Sequence, residues 1–255
     1  MIEVIVAGSG TGAPSLRRAA PATCVRHNNY TLLLDCGSGT LRQLLKVGIS
    51  PEQIDAIFLS HFHPDHVGDL VPFLFATKYN LGYQRTVPFT ILAHGRVTSL
   101  YEDMKNAFGH WVVPPSGLMQ IQQLEADTRK IIPPGDLKLS FSPVPHTPES
   151  LAIRIDTEDG RSIVYSGDTD YSAGLVELAK DAHLFICECS CPEGMKVEGH
   201  LTPSLAGRMA AEAGCKRLML THLYPICDDS NLIEPCRRHY DGELIIAEDL
   251  LRLVI

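Results

Sequence analysis

Residues 60–69 read "SHFHPDHVGD", and His61, His63, Asp65 and His66 place three imidazoles and one carboxylate within six positions. These groups, once deprotonated, are ligands for divalent cations. The motif follows the apolar run "AIFL", which has the pattern of a buried strand. His61 and His63 therefore project to the same side at a strand's carboxyl end, while Asp65 and His66 fall in the following turn near a helix start. Adjacent side chains diverge, so the four do not converge easily on one ion, and two ions account for them better. Three other strand ends carry the same residue types: His146 in "FSPVPHTPES", Asp168 in "IVYSGDTDY" and His222 in "RLMLTHLYP". Strand ends of this kind gather on one rim, where loops carry function. Two cations held there would activate water and clamp the oxygens of an in-line displacement, which makes hydrolysis the implied chemistry. Asp65 is placed both to ligate and to orient the attacking oxygen.

The elements that must position these groups are legible from apolar runs. Strands are predicted at residues 3–7, 31–34, 56–59, 89–93, 138–141, 151–155, 162–166, 184–189, 217–221 and 244–247. Helical patterns cover 40–47, a stretch after Pro64, 97–108, 175–180 and 205–213, the last with Ser204 as N-cap. The runs 151–155 and 162–166, joined through "DTEDGR", read as a hairpin, whereas the later alternation of strand and helix predicts crossovers, so both sheet types coexist. The segments "VVPPSG" and "IIPPGD" bracket a polar stretch that reads as a surface excursion. One domain over residues 1–255, with a coarse similarity between its halves, is the economical organisation.

"VIVAGSGTGAP", with Asp35 ending a later strand, imitates a dinucleotide-binding fingerprint. The glycines are spaced G-x-G-x-G, and prolines stand where the phosphate-binding helix would run. A glycine turn that lets two backbones approach closely is the better reading.

Composition sets outer limits. The 255 residues are 45% apolar and 20% charged, as in ordinary globular proteins. Twenty-two basic against thirty acidic side chains give a net charge of −8, the wrong sign for gripping a long nucleic acid. The N-terminus lacks a basic leader, and no apolar run approaches the roughly 18 residues that span a bilayer, so a cytoplasmic protein without a membrane partner is expected. The eight cysteines, Cys187, Cys189 and Cys191 among them, read as reduced thiols packed as small hydrophobes.

The ordered set H-x-H-x-D-H, lone His, "SGDT" and late "TH" resembles the metallo-β-lactamase superfamily across nearly the whole chain. The resemblance implies an α/β (α+β) fold, a four-layer αββα sandwich with a dinuclear site on one edge. It assigns His61, His63 and His146 to one metal, Asp65, His66 and His222 to the other, and Asp168 as the bridge. The donors are all nitrogen and oxygen, which suits two zinc ions first, with manganese or iron as alternatives.

The segment "GHLT" is similar to the His-x-Thr of the phosphodiesterase branch that includes ribonuclease Z. His200 would then contact the phosphate and protonate the leaving oxygen, with Thr202 beside it. The carboxylate partner of His200 stays open between Glu188 and Glu198. "PSLRR" resembles that branch's basic loop and offers Arg17 or Arg18 to a phosphate. Only 21 residues separate His146 from Asp168, which leaves no room for the long arm that grips tRNA in many such enzymes, and "THLYP" lacks their extended ending. The expected activity is therefore that of a dinuclear phosphodiesterase acting on a small or cyclic phosphodiester or a short RNA 3′ end. A lactonase or thioesterase of the same fold is the alternative. The apolar "LVPFLFA" after the motif suits either the core or a homodimer face.

Overall fold

The computed structural model describes residues 1–79, 85–125, 129–132 and 137–255. The first half contributes β1 (Ile2–Gly8), β2 (Ala22–His27), β3 (Tyr30–Leu34), α1 (Thr40–Lys46), β4 (Ala56–Leu59), α2 (Pro64–Val67), α3 (Leu70–Tyr79), β5 (Phe89–His94), α4 (Val97–Phe108) and β6 (Met119–Leu124). The second contributes β7 (Arg129–Ile132), β8 (Leu137–Pro143), β9 (Leu151–Thr157), β10 (Ser162–Tyr165), α5 (Ala173–Leu178), β11 (Leu184–Glu188), α6 (Pro203–Ala213), β12 (Arg217–Thr221), α7 (Ile233–Arg237) and β13 (Glu243–Ile246). A last strand, β14 (Arg252–Val254), returns to pair with β1.

The strands form two seven-stranded sheets, ordered β14-β1-β2-β3-β4-β5-β6 and β13-β12-β11-β10-β9-β8-β7. In both, antiparallel pairing gives way to parallel pairing: at β3/β4 in the first sheet and at β10/β11 in the second. The coarse similarity of the halves is thus a shared topology, and the predicted hairpin is the antiparallel pair β9/β10.

Period-two alternation explains why the strands are apolar throughout, since both faces of each sheet are covered. In β4, Ala56 and Phe58 face the layer between the sheets, while Ile57 and Leu59 face the helices. Phe58 stacks on Phe141 of the opposite sheet with centroids 5.8 Å apart. Leu44 of α1 and Phe73 and Leu74 of α3 cover the outer face of the first sheet, and Met209 and Ala210 of α6 cover that of the second. Three apolar layers therefore separate four layers of structure, the αββα order that was expected. Cys187 and Cys189 pack in the outer layer beneath α6, and all eight cysteines are buried free thiols. In "LVPFLFA", Leu70, Phe73 and Leu74 are core residues, while Phe75 is 42% exposed.

Several expectations need correction. The polar stretch between "VVPPSG" and "IIPPGD" is the passage from one sheet to the other, and with the start of "IIPPGD" it supplies one edge strand of each sheet, β6 and β7. Its low apolar content reflects edge positions, where one side of the strand has no neighbour. The last four residues of "IIPPGD", 133–136, lie outside the described residues. Strands β2 and β14 carry no long β-branched run and escape a periodicity search. Helix α6 begins at Pro203 with Thr202 as N-cap, not at Ser204, because proline lacks the N–H that the first helical position leaves unpaired.

The glycine turn after β1 does bring backbones together: a Cβ on Gly8 would lie 1.8 Å from the Ala20 carbonyl oxygen. Gly37, just after β3, is as tightly placed, with the Asp65 carbonyl oxygen 2.2 Å from where its Cβ would be. Gly37→Ala is expected to destabilise the fold by about 1–3 kcal/mol through overpacking, and to weaken metal retention because the yielding backbone is that of Asp65. Urea titration and chelator competition on the variant check both effects.

Candidate metal centre

The carboxyl ends of β4, β10 and β12 meet on one edge of the sandwich. His61 and His63 leave β4, His66 begins within α2, Asp168 follows β10, and His222 follows β12 in a left-handed conformation at φ 57°. His146 comes from the turn between β8 and β9, and the Leu151 N–H donates to the Ser60 carbonyl at 2.9 Å, tying the two sheets at this rim.

Ligand atoms of His61, His63, His146 and Asp168 lie within 4.8 Å of one another, as do those of Asp65, His66 and His222. Asp168 faces both groups. Its Oδ1 is 3.2 Å from His66 Nε2 and 3.3 Å from His222 Nε2, and its Oδ2 is 3.7 Å from Nε2 of both His61 and His146. Asp65 Oδ2 stands 3.5 Å from His222 Nε2 and accepts the Gly12 N–H at 2.8 Å, so the glycine turn steadies this carboxylate.

Ring tautomers follow from the outward hydrogen bonds. The Ser60 hydroxyl donates to Asp35 and accepts from His61 Nδ1 at 3.0 Å. The Ser190 hydroxyl donates to Glu188 and accepts from His222 Nδ1 at 2.7 Å. His146 Nδ1 donates to the Gly199 carbonyl at 3.0 Å, and His66 Nδ1 to Asp35 Oδ2 at 2.7 Å. In these four rings the Nε2 lone pair is left pointing inward, the arrangement that orients metal-ligating histidines. His63 is turned the other way, with Nδ1 3.1 Å from His146 Nε2.

Inward lone pairs this close need a cation. Ligands held at about 2.1 Å by a tetrahedral ion with zinc's bond length stand roughly 3.4 Å apart, close to the 3.3 Å between His66 and His222 Nε2. His61 Nε2 and Asp168 Oδ1 are buried without a hydrogen-bond partner among the described residues, a costly state that a metal ion relieves. Burial and the neighbouring His66 push His61 down to about 2, so its ring is neutral and available. The donor set thus fits two divalent cations.

His200 lies at the edge of this cluster, its ring 4.8 Å from His146 and stacked on His222 at 5.8 Å. Its partner is Glu188, not Glu198: His200 Nδ1 is 2.9 Å from Glu188 Oε1. Glu188 is 1% exposed and held by the N–H groups of Thr169, Ser190 and Leu201. Burial lowers the His200 pKa, but the hydrogen bond and charge of Glu188 outweigh it and raise the value above the ordinary histidine range.

Two of the residues expected to contact substrate are engaged within the fold. Arg18 is 9% exposed, its guanidinium spent on Asp228 Oδ1 at 2.8 Å, the Ser9 hydroxyl at 2.8 Å and the Ala247 carbonyl at 2.6 Å. It fastens the N-terminal turn to the segment after His222, and its neighbour Arg17 is the exposed one. Thr202 is 4% exposed at the start of α6, so it places the His200 loop and has little surface to offer a ligand.

Asp35 is the residue whose role the sequence concealed. It sits after β3 at φ 58° and accepts from Tyr165 at 2.6 Å, Ser60 at 2.8 Å and His66 at 2.7 Å. An acidic residue ending a strand is a weak signal, and here it lies 31 positions from the ring that it orients. Asp35→Asn keeps a side chain that tolerates positive φ but removes the charge facing His66. Chelator competition is expected to show metal affinity falling by about 10–100-fold with the circular dichroism spectrum unchanged.

The probable metallo-hydrolase YhfI of Bacillus subtilis (strain 168) is 29% identical to this chain, covering 97% of both proteins. The YhfI crystal structure matches with a TM-score of 0.84 at 26% identity, over 99% of this chain and 98% of that one. Ribonuclease Z of Mycolicibacterium gilvum (strain PYR-GCK) is 29% identical over all of this chain and 96% of its own. The human short-form tRNase Z, at 24% identity and a TM-score of 0.78 over 99% of each chain, shares the fold. A family model described as a beta-lactamase superfamily domain matches residues 30–223, a span that takes in every ligand candidate from His61 to His222. The chain accordingly belongs to the beta-lactamase superfamily as a hydrolase of the metallo-β-lactamase fold, and its His/Asp cluster implies a divalent metal.

Proposed function

We propose that the protein is a dinuclear phosphodiesterase acting on a small or cyclic phosphodiester or a short RNA 3′ end. His61, His63 and His146 would hold one cation, Asp65, His66 and His222 the other, with Asp168 shared. Zinc suits the all-nitrogen-and-oxygen set, and manganese or iron are the alternatives. When bound, the cations supply Lewis-acid activation of water and of a phosphoryl oxygen.

The observation that carries the reading is His200. Ligand atoms of His200, Asp168 and His222 also lie within 4.8 Å of one another, but with Asp168 shared the seven ligands would already provide four donors to each ion, which leaves His200 free for another role. Its Nδ1 is anchored on buried Glu188, and its Nε2 has no hydrogen-bond partner among the described residues. An imidazole so held keeps its proton to higher pH than a free one and is placed to give it to the departing oxygen. Asp65, steadied by Gly12, orients the attacking oxygen on the other side. The relatives named ribonuclease Z support a phosphodiester as substrate, while the net charge of −8 argues against a long nucleic acid as partner.

Protein loaded with zinc or manganese is expected to hydrolyse bis(p-nitrophenyl) phosphate and cyclic nucleotides, and to lose that activity on chelation. Full metal occupancy without turnover of any phosphodiester would sink the reading. His200→Ala should lower kcat by about 10²–10⁴-fold while metal content stays at the wild-type level; a lactonase or thioesterase would barely respond.

The pH profile has a definite sign. His200 acts protonated, so the rate falls as pH rises through its raised pKa. Glu188→Gln removes the charge responsible and should move that alkaline limb to lower pH. An unmoved limb would assign the titration to another group.

A further inference from the structure

A cavity of about 280 Å³ opens beside His63, lined by Phe62, Arg96, Ser99, Leu100, Asp103 and Glu149. It meets the metal centre at His63, and none of its other lining residues is a ligand candidate. Phe62 and Leu100 are half-buried apolar side chains, and Phe62 and His63 are consecutive in the motif. Arg96 precedes α4, and its Nη1 contacts the buried Glu149 carboxylate, which holds one edge of the guanidinium. Its side chain is 67% exposed, and Nε and Nη2 have no partner among the described residues. The Asp103 carboxylate, one helical turn beyond Ser99, is likewise without a hydrogen bond or ion pair among the described residues.

The charges decide what such a cavity takes. One cation stands against two carboxylates, so the site does not favour a second phosphate. It offers instead an apolar wall, a planar cation fixed on one edge, and acceptors at Asp103 and Ser99. A flat heteroaromatic ring satisfies all three: its faces meet Phe62, Leu100 and the guanidinium, and its exocyclic N–H groups meet the carboxylate. The volume admits a base with part of its sugar and excludes a folded RNA.

Resting on the phosphodiesterase reading, we propose that this cavity is a nucleobase subsite, making the substrate a nucleotide and not a simple alkyl or aryl phosphodiester. Arg96 and Asp103 are its specificity-determining residues.

Calorimetric titration of the zinc-loaded protein with adenosine 5′-monophosphate and with ribose 5-phosphate tests this, since the two probes share the ribose phosphate and carry a base or a hydroxyl at the anomeric carbon. The wild type is expected to bind the nucleotide at least about 10-fold more tightly, the effect of roughly one stacked base. Ser99→Trp, which fills the cavity, should bring the ratio to about 1. Arg96→Ala should bring it down at least 3-fold and serves if the tryptophan variant does not fold. Equal binding of the two probes by the wild type, no detectable binding of either, or an unchanged ratio in both variants overturns the proposal. Turnover of methyl p-nitrophenyl phosphate separates the two levels. If that ester is hydrolysed and no base preference is found, only the subsite falls; if no phosphodiester is hydrolysed, the functional reading falls with it.

Discussion

Asp168 is a carboxylate at 2% exposure, surrounded by four imidazoles and with Oδ1 accepting no hydrogen bond from the described residues. Burial alone would raise its pKa, yet the facing rings of His222 and His66 outweigh it and hold the carboxyl well below the usual carboxylate range. A buried charge on this scale is tolerated only when it is paired from several directions. The partners come from β4, α2, the β8–β9 turn and the end of β12, so both sheets must close correctly before Asp168 is satisfied. The candidate metal centre is therefore a condition on the whole sandwich, and the two Asp168 oxygens face two separate groups of candidate ligands.

Hydrogen bonds behind the candidate ligands transmit that condition outward. Asp35 gathers Tyr165, Ser60 and His66; Glu188 gathers Ser190, His200 and three backbone N–H groups. Each is a buried carboxylate at the end of a strand, one in each sheet, and each acts by fixing a ring that another element supplies. Asp249 plays a comparable part farther out, accepting from Ser9, Ala19 and Gln43, while Arg18 links that corner to Asp228. The glycine turn, with its direct bond to Asp65, is held from behind by this network.

Around this rigid centre the open surface is asymmetric. His200 stands on the side of β11 and β12, and the cavity with Arg96 lies across His63 on the side of α4. The short connection between His146 and Asp168 is filled by the β9–β10 hairpin, which belongs to the core of the second sheet and leaves no projecting arm among its residues.

The seven ligand candidates were legible because metal binding demands particular side chains at strand ends, and strand ends follow apolar runs whose period is local. The αββα order came with the resemblance that those ligands carry, and the continuous hydrophobicity of "AIFL" and "LFICE" agrees with sheets covered on both faces. What the sequence left open were matters of pairing. Glu188 and Glu198 are equivalent as letters, and only the fold brings Glu188 to His200. Arg18 looked available because basic residues usually are; Asp228, 210 positions away, takes it inward. Asp35 imitated a cofactor motif and instead orients His66. The edge strands β6 and β7 escaped notice because their sequences, "MQIQQL" and "RKII", are rich in polar residues, which an edge tolerates. Local chemistry and period are written residue by residue, whereas a hydrogen bond between distant groups exists only once long-range packing has fixed both ends.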